Sequence, residues 1–471
     1  MKVTCVPLGC FFLFLLRTRG LKFSRMGRPS RCKVDGQARA ARLSMTVRNP
    51  RPVRSSTQPA RLPVWPAWNG IAFILLDLLK QHNLAAKLED WLGGRVCPMM
   101  LDTTEADPFI LLVHHRHSFQ RFDPLRAAFR LLMAEGFPSH PHRGFETVTY
   151  VLPGKRGLVH RDSLGLKMRY SDGEAQWMTA GRGILHEEMW ETDANEEDAP
   201  GNPPHTEQSV LPAGVSNMRL TSDAELYQLW LNLPPAHKMT EPRVQLLRPP
   251  DERVERRNAR RQPRASGIAG SLDGASRETR VRDVDLPTVW PGPGVCVRVL
   301  SGEAHGVKSD TKTFSPVTML HVTLSSDEQE SNDSSSLSTA RVVSSTSVCW
   351  ELPLPASFTC LIYVRHGAIA VPTTAFGDSD SRTHLKTHSL SYLERNNLYD
   401  GLKLELLGPD DADIMIFAGE PIDAPVASSG TFVMNSNAEL EEAFNDYKRG
   451  AFGIPWDYSL SDQDWRKQLK K

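Results

Sequence analysis

The chain has 471 residues, enough for two or three ordinary domains that bury full cores without disulfide staples. Its formal net charge of +1 gives no global field that would favour nucleic acid or a membrane surface. Seven scattered cysteines, with no Cys-x-x-Cys pair, argue against a disulfide framework and against a zinc ribbon, and suit a reducing compartment.

Lys2 precedes an apolar run from Val6 to Leu16, which has the length of a signal-peptide core rather than of a membrane span. From Arg17 to Ala60 the chain is rich in arginine and serine, with Asp35 as its one acid, which is transit-peptide composition. Residues 1–60 therefore read as a targeting leader, or as an upstream extension with translation starting at Met26 or Met45. In both readings they stay outside the fold. Residues 61–106 form a helical or extended segment. Its apolar spacing, from Ile71 and Ile74 to Leu78, Leu84, Leu88 and Leu92, predicts one amphipathic helix or a strand followed by a helix.

Residues 107–245 hold a first block of short strands, at Asp107 to Val113, Thr147 to Leu152, Leu158 to Asp162, Gln176 to Thr179 and Glu225 to Leu233, punctuated by Pro and Gly. Residues 246–290 read as an arginine-rich linker or insertion, solvated rather than bound to nucleic acid. A second strand block covers 291–436, with a Ser-rich insertion at 325–347, and residues 437–471 form a C-terminal helix and tail capped by Asn435 or Asn437. Many short strands with Gly/Pro turns give an all-β fold, and two such blocks suggest a duplicated barrel.

Two short motifs carry the chemistry. His140-Pro141-His142 and His186-Glu187-Glu188 each offer two metal-binding side chains two residues apart. In a strand, residues i and i+2 share a face. Two neighbouring strands then aim three imidazoles and one carboxylate at one point, a donor set that suits a redox-active divalent metal. Four such groups turned inward are hard to satisfy without an ion, because buried polar atoms need partners.

The stretches His140-Pro141-His142-Arg143-Gly144-Phe145-Glu146-Thr147-Val148-Thr149-Tyr150 and Gln176-Trp177-Met178-Thr179-Ala180-Gly181-Arg182-Gly183-Ile184-Leu185-His186 resemble the pirin family of the cupin superfamily. Ser301-Gly302-Glu303-Ala304, Ala418-Gly419-Glu420-Pro421 and Phe432-Val433-Met434-Asn435 resemble its C-terminal half. The resemblance implies a bicupin, two stacked cupin β-barrels with a C-terminal helix. The first barrel then holds one Fe(2+), with His140, His142, His186 and Glu188 as ligands, and Glu187 faces away. It implies a dioxygenase that opens quercetin-like flavonols with O2. The alternative is a non-catalytic, iron-dependent co-regulator that signals redox state to a transcription-factor partner. No direct nucleic-acid contact, no membrane in the mature form and a monomeric state are expected. The family implies cytoplasm or nucleus, and a working leader implies a plastid or mitochondrion.

Three imidazoles and a carboxylate leave a divalent ion with net charge +1 and two open octahedral positions, enough for dioxygen or for the 3-hydroxyl and 4-carbonyl of a flavonol. Glu146 shares strand parity with the two histidines, as a base or a group beside the ligands, or as a ligand itself. Arg143 and Arg182 hold substrate or a carboxylate near the metal, or fix turns. His160 is a neighbour of the ligands or an exposed strand residue. His114, His115 and His117 read as a solvated loop rather than a second metal cluster, and the scattered histidines of the second block form no i, i+2 pair.

Overall fold

The computed structural model describes residues 47–63, 68–120, 123–129, 134–191, 221–250, 281–326, 348–372 and 381–470. The leader reading of residues 1–46, the arginine-dense run 251–280 and the Ser-rich run 327–347 lie outside the described residues. Short strands dominate and build two β-barrels, each from a long sheet closed by a four-stranded one.

In the first barrel the four-stranded sheet runs Gly136–His142, Ile184–Trp190, Leu158–Asp162 and Lys167–Tyr170. The long sheet has eight strands, with Phe145–Val151 between Ala175–Thr179 and Thr221–Asn232, and Phe109–Gln120 beyond. Alternation along Phe145–Val151 divides its side chains. Val151 packs inside with Leu158, Tyr170 and Trp190. Val148 and Tyr150 face the other barrel.

The second barrel pairs a seven-stranded sheet with a four-stranded one. Its interior is filled by apolar groups, among them Val297, Val299, Leu320, Ile362, Ile414 and Leu404. The barrels stack through the outer faces of their long sheets. Leu112, Val148, Tyr227 and Leu229 of the first meet Met319, Leu361, Met415 and Phe417 of the second.

Polar groups cross this apolar interface. His114 binds Glu225 at 3.0 Å and the Tyr363 hydroxyl at 3.0 Å. Arg365 donates to Glu225 at 3.2 Å and to Asp413 at 2.7 Å. His321 joins Asp413 at 3.0 Å to the Tyr150 hydroxyl at 2.8 Å.

Several segments differ from the sequence reading. Residues 47–57, expected outside the fold, pack into it. Val53–Thr57 pairs antiparallel with Leu390–Leu393, and Arg51 is buried with its Nη1 donating to Phe358 O at 2.5 Å. A sheet edge presents unpaired backbone groups, and this extended segment satisfies them. The apolar stretch after Asn69 is two helices, Trp68–Leu78 and His82–Leu92, because the chain turns at Lys80 with φ of 55°. The end of the supposed linker is a strand, with Val281–Asp285 pairing in parallel with Arg243–Arg248 on the first barrel. The Asn437–Lys448 helix is capped by Ser436, whose side chain accepts from Glu439 N while Glu439 reaches back, a capping box in place of an asparagine cap.

Candidate metal centre

Ile184–Trp190 is the middle strand of the candidate site. His140 lies directly across from His186, and His142 across from Ile184. Between His186 and Glu188 the register shifts, where Pro138 and Ser139 bulge on the partner strand. Proline lacks the N–H a regular ladder needs, so a bulge is its natural place. The pairing brings ring nitrogens of His140, His142 and His186 within 4.8 Å of one another.

The state of these rings fits a metal. Among the described residues, His142 Nδ1 and His186 Nε2 are buried without a hydrogen-bond partner. His140 uses Nδ1 on Pro138 O at 2.8 Å, leaving Nε2 free of that bond. Burial lowers the pKa of His140, and holds those of His142 and His186 well below the usual histidine value, so the rings stay neutral electron-pair donors. His142 is enclosed by Phe145, 5.1 Å away between ring centres, and by Trp230 at 5.7 Å. His140 is only half-buried.

Glu188 shares this inner face but stands apart from the three-histidine cluster. Its Oε1 accepts from the Tyr170 hydroxyl at 2.6 Å and the Thr149 hydroxyl at 3.1 Å, and its Oε2 from Gln228 Nε2 at 3.0 Å. A carboxylate offers about four lone-pair sites, so three donors leave one direction for an ion. On the far side of Ile184–Trp190, His160 lies across from Glu188 and Asp162 across from His186. Both are fully buried, which excludes the exposed reading of His160. Thr149, Tyr170, Gln228 and Asp162 were not singled out from sequence. Asp162 was within reach of the same rule, because His160 and Asp162 form another i, i+2 pair.

Other candidate residues lie elsewhere. Arg143 and Gly144 interrupt the strand, with Gly144 at φ of 85°, and the break resets the parity. Glu146 therefore points away from the histidines. It accepts from the Thr179 hydroxyl at 2.6 Å, and burial pushes its pKa up to about 7. Arg143 is a turn and docking residue, bonded to Arg182 O at 2.6 Å and Asp446 at 2.8 Å, with its guanidinium over the Phe452 ring. Arg182 meets Glu241 at the surface at 3.0 Å.

Glu187 faces away from the cluster, as alternation requires, and is held by Arg161 and by Trp456 Nε1 at 2.7 Å. His114, His115 and His117 are not in a loop. They lie on the strand Phe109–Gln120, with His114 toward the second barrel and His117 against Trp190, 4.3 Å between ring centres.

Comparison with known proteins places this geometry in a family. The Pirin family profile matches residues 94–201, and the profile of the Pirin C-terminal cupin domain matches residues 345–453. A pirin-like protein of Arabidopsis thaliana is 31% identical over 340 residues, 71% of this chain and 81% of the relative. The chain belongs to the pirin family. Another relative, a Pseudomonas aeruginosa protein named provisionally as a quercetin 2,3-dioxygenase, is 29% identical over 318 residues, 67% of this chain and 79% of its own length. A crystal structure of quercetin 2,3-dioxygenase from Acinetobacter baumannii superposes with a TM-score of 0.54 at 23% identity, covering 86% of this chain and 99% of that one. It shows the shared bicupin fold. Within this pirin-family chain, both candidate-ligand motifs fall inside the matched residues 94–201.

Proposed function

We propose that this chain is a mononuclear iron dioxygenase that opens flavonol-type substrates with O2. The observation that carries the reading is the cluster of three neutral histidines, two of them with buried ring nitrogens that find no partner among the described residues, beside a carboxylate on the same inner face. His140, His142 and His186 hold the ion, and Glu188 is the fourth ligand through its remaining lone pair. Iron bound there supplies Lewis acidity toward an enolised flavonol and a redox centre for dioxygen.

The rest of the work belongs to the chain. Phe145 and Trp230 shield His142 from water. Tyr170, Thr149 and Gln228 fix the Glu188 carboxylate so that it does not swing into the substrate space. The half-buried rim at His140 admits a planar aromatic. The name of the Pseudomonas aeruginosa relative supports the substrate class.

The test is oxygen uptake by iron-loaded protein given quercetin, with elemental analysis of the same sample. His142→Ala is expected to lose both bound iron and uptake. Equal uptake by wild type and His142→Ala, or no uptake by fully loaded wild type, overturns the reading.

A further inference from the structure

We propose that Asp162 and His160 form a hydrogen-bonded relay that fixes the ring tautomer of His186 and so makes it a metal ligand. This rests on the reading that the three histidines hold a metal. Asp162 Oδ1 is occupied by the backbone N–H groups of Leu164 at 2.9 Å and Leu166 at 3.0 Å. Those two bonds lock the carboxylate and leave Oδ2 aimed at His160 Nε2, 3.3 Å away. A carboxylate only accepts, so Nε2 of His160 carries that ring's hydrogen. With one ring hydrogen, its Nδ1 is an acceptor, and it faces His186 Nδ1 at 3.4 Å. His186 therefore carries its hydrogen on Nδ1. Its Nε2, buried and partnerless, presents a lone pair toward His140 and His142.

The order of hydrogens runs from His186 through His160 to Asp162, and only this order leaves a donor atom on the metal side. Asp162, His160 and His186 are all fully buried, so no water competes for the intermediate positions. His160 and Asp162 are positioning residues that act through His186.

The relay can be reversed without changing its shape. In Asp162→Asn the side-chain carbonyl still caps the Leu164 and Leu166 amides, but an NH2 now faces His160. The hydrogens shift one place along the chain, and His186 Nε2 becomes protonated. Cobalt(II) serves as the probe, with affinity from chelator competition and coordination from its visible spectrum. Asp162→Asn and His160→Leu are expected to weaken binding by about 10- to 100-fold and to alter the spectrum. His160→Gln is expected to stay within about threefold, because its amide accepts from His186 and donates to Asp162. The thermal midpoint of metal-free Asp162→Asn should match wild type.

Wild-type affinity in Asp162→Asn and His160→Leu overturns the relay, and so does a loss in His160→Gln equal to that in His160→Leu. If His142→Ala also keeps wild-type affinity, the underlying metal site fails and takes the relay with it. Loss in His142→Ala with none in Asp162→Asn sinks the relay alone.

Discussion

Glu225→Gln tests what joins the two barrels. Glu225 stands on the first barrel with its side chain 2% exposed, and Oε1 accepts from His114 at 3.0 Å and from Arg365 of the second barrel at 3.2 Å. Lys155 lies 3.5 Å and Arg116 3.9 Å from Oε2. Burial alone would raise this carboxyl, but Arg365, His114 and Arg116 overcome it and hold it well below the usual carboxylate range. Glutamine keeps the shape and removes the charge.

Breaking a buried ion pair from one side costs about 3–5 kcal/mol, because the partner charge is stranded. Here Arg365 keeps Asp413 at 2.7 Å, so a loss of about 3 kcal/mol is expected. Urea unfolding at pH 7 measures it through the shift in midpoint at constant slope. The control is Lys167→Ala, which breaks a 2.6 Å pair with Asp462 whose side chains are 38% and 41% exposed. That pair contributes less than about 1 kcal/mol. Equal effects in the two variants would refute the claim that burial, not the contact itself, sets the energy. An additive double mutant with Arg365→Met would refute the claim that the two residues are coupled.

Acidification should destabilise the protein through its buried neutral histidines. Burial lowers His114 from 6.5 to about 4, so the folded state binds fewer protons than the unfolded chain between those values. Stability is then full above pH 6.5 and falls as pH drops toward 4, by about 3 kcal/mol for this group. Unfolding curves at several pH values should show the fall, and His114→Gln should make it shallower by this group's share, since other buried histidines such as His117 are lowered too; an unchanged slope in that variant would assign the effect elsewhere. Gly183→Ala should loosen the C-terminal tail. A Cβ there meets the Phe452 ring at 2.3 Å on a backbone with φ of 132°. A loss of about 1–3 kcal/mol is expected, with faster proteolysis after Arg449; wild-type protease resistance would count against it.

The legible part of the site was the part written in short-range periodicity. Two i, i+2 pairs predicted a convergence of histidines because strand geometry forces it, and those rings meet in the fold. Glu146 was misplaced because the same parity was carried across Arg143 and Gly144, where the backbone takes a left-handed turn and the count restarts. The histidines of Phe109–Gln120 depart from the loop expectation for a different reason. Polar residues in a row suggest solvent, yet His114 finds buried partners in Tyr363 and Glu225, far away in sequence. Local pattern carries no trace of such partners. Arg51 makes the same point, since its carbonyl partner Phe358 lies 307 residues on.

One fold with two interiors explains why chemistry concentrates in the first barrel. Inner positions of the second barrel are Val297, Val299, Ile362, Ile414 and their neighbours, which pack against each other and need nothing further. Inner positions of the first include His140, His142, His160, His186 and Glu188, whose burial is costly unless each finds a partner. Glu188 finds three and His160 finds two, while His142 and His186 are each left with one ring nitrogen unused. Partnerless nitrogens at that depth are costly, and the proposed ion is what would complete them. The polar interior costs stability, and the apolar second barrel, docked across a broad hydrophobic interface, offsets that cost. The C-terminal block also reaches the site directly, through the Thr431 backbone beside His142 and Arg143, and weakening the interface between the long sheets should lower stability before it alters affinity at the proposed metal site.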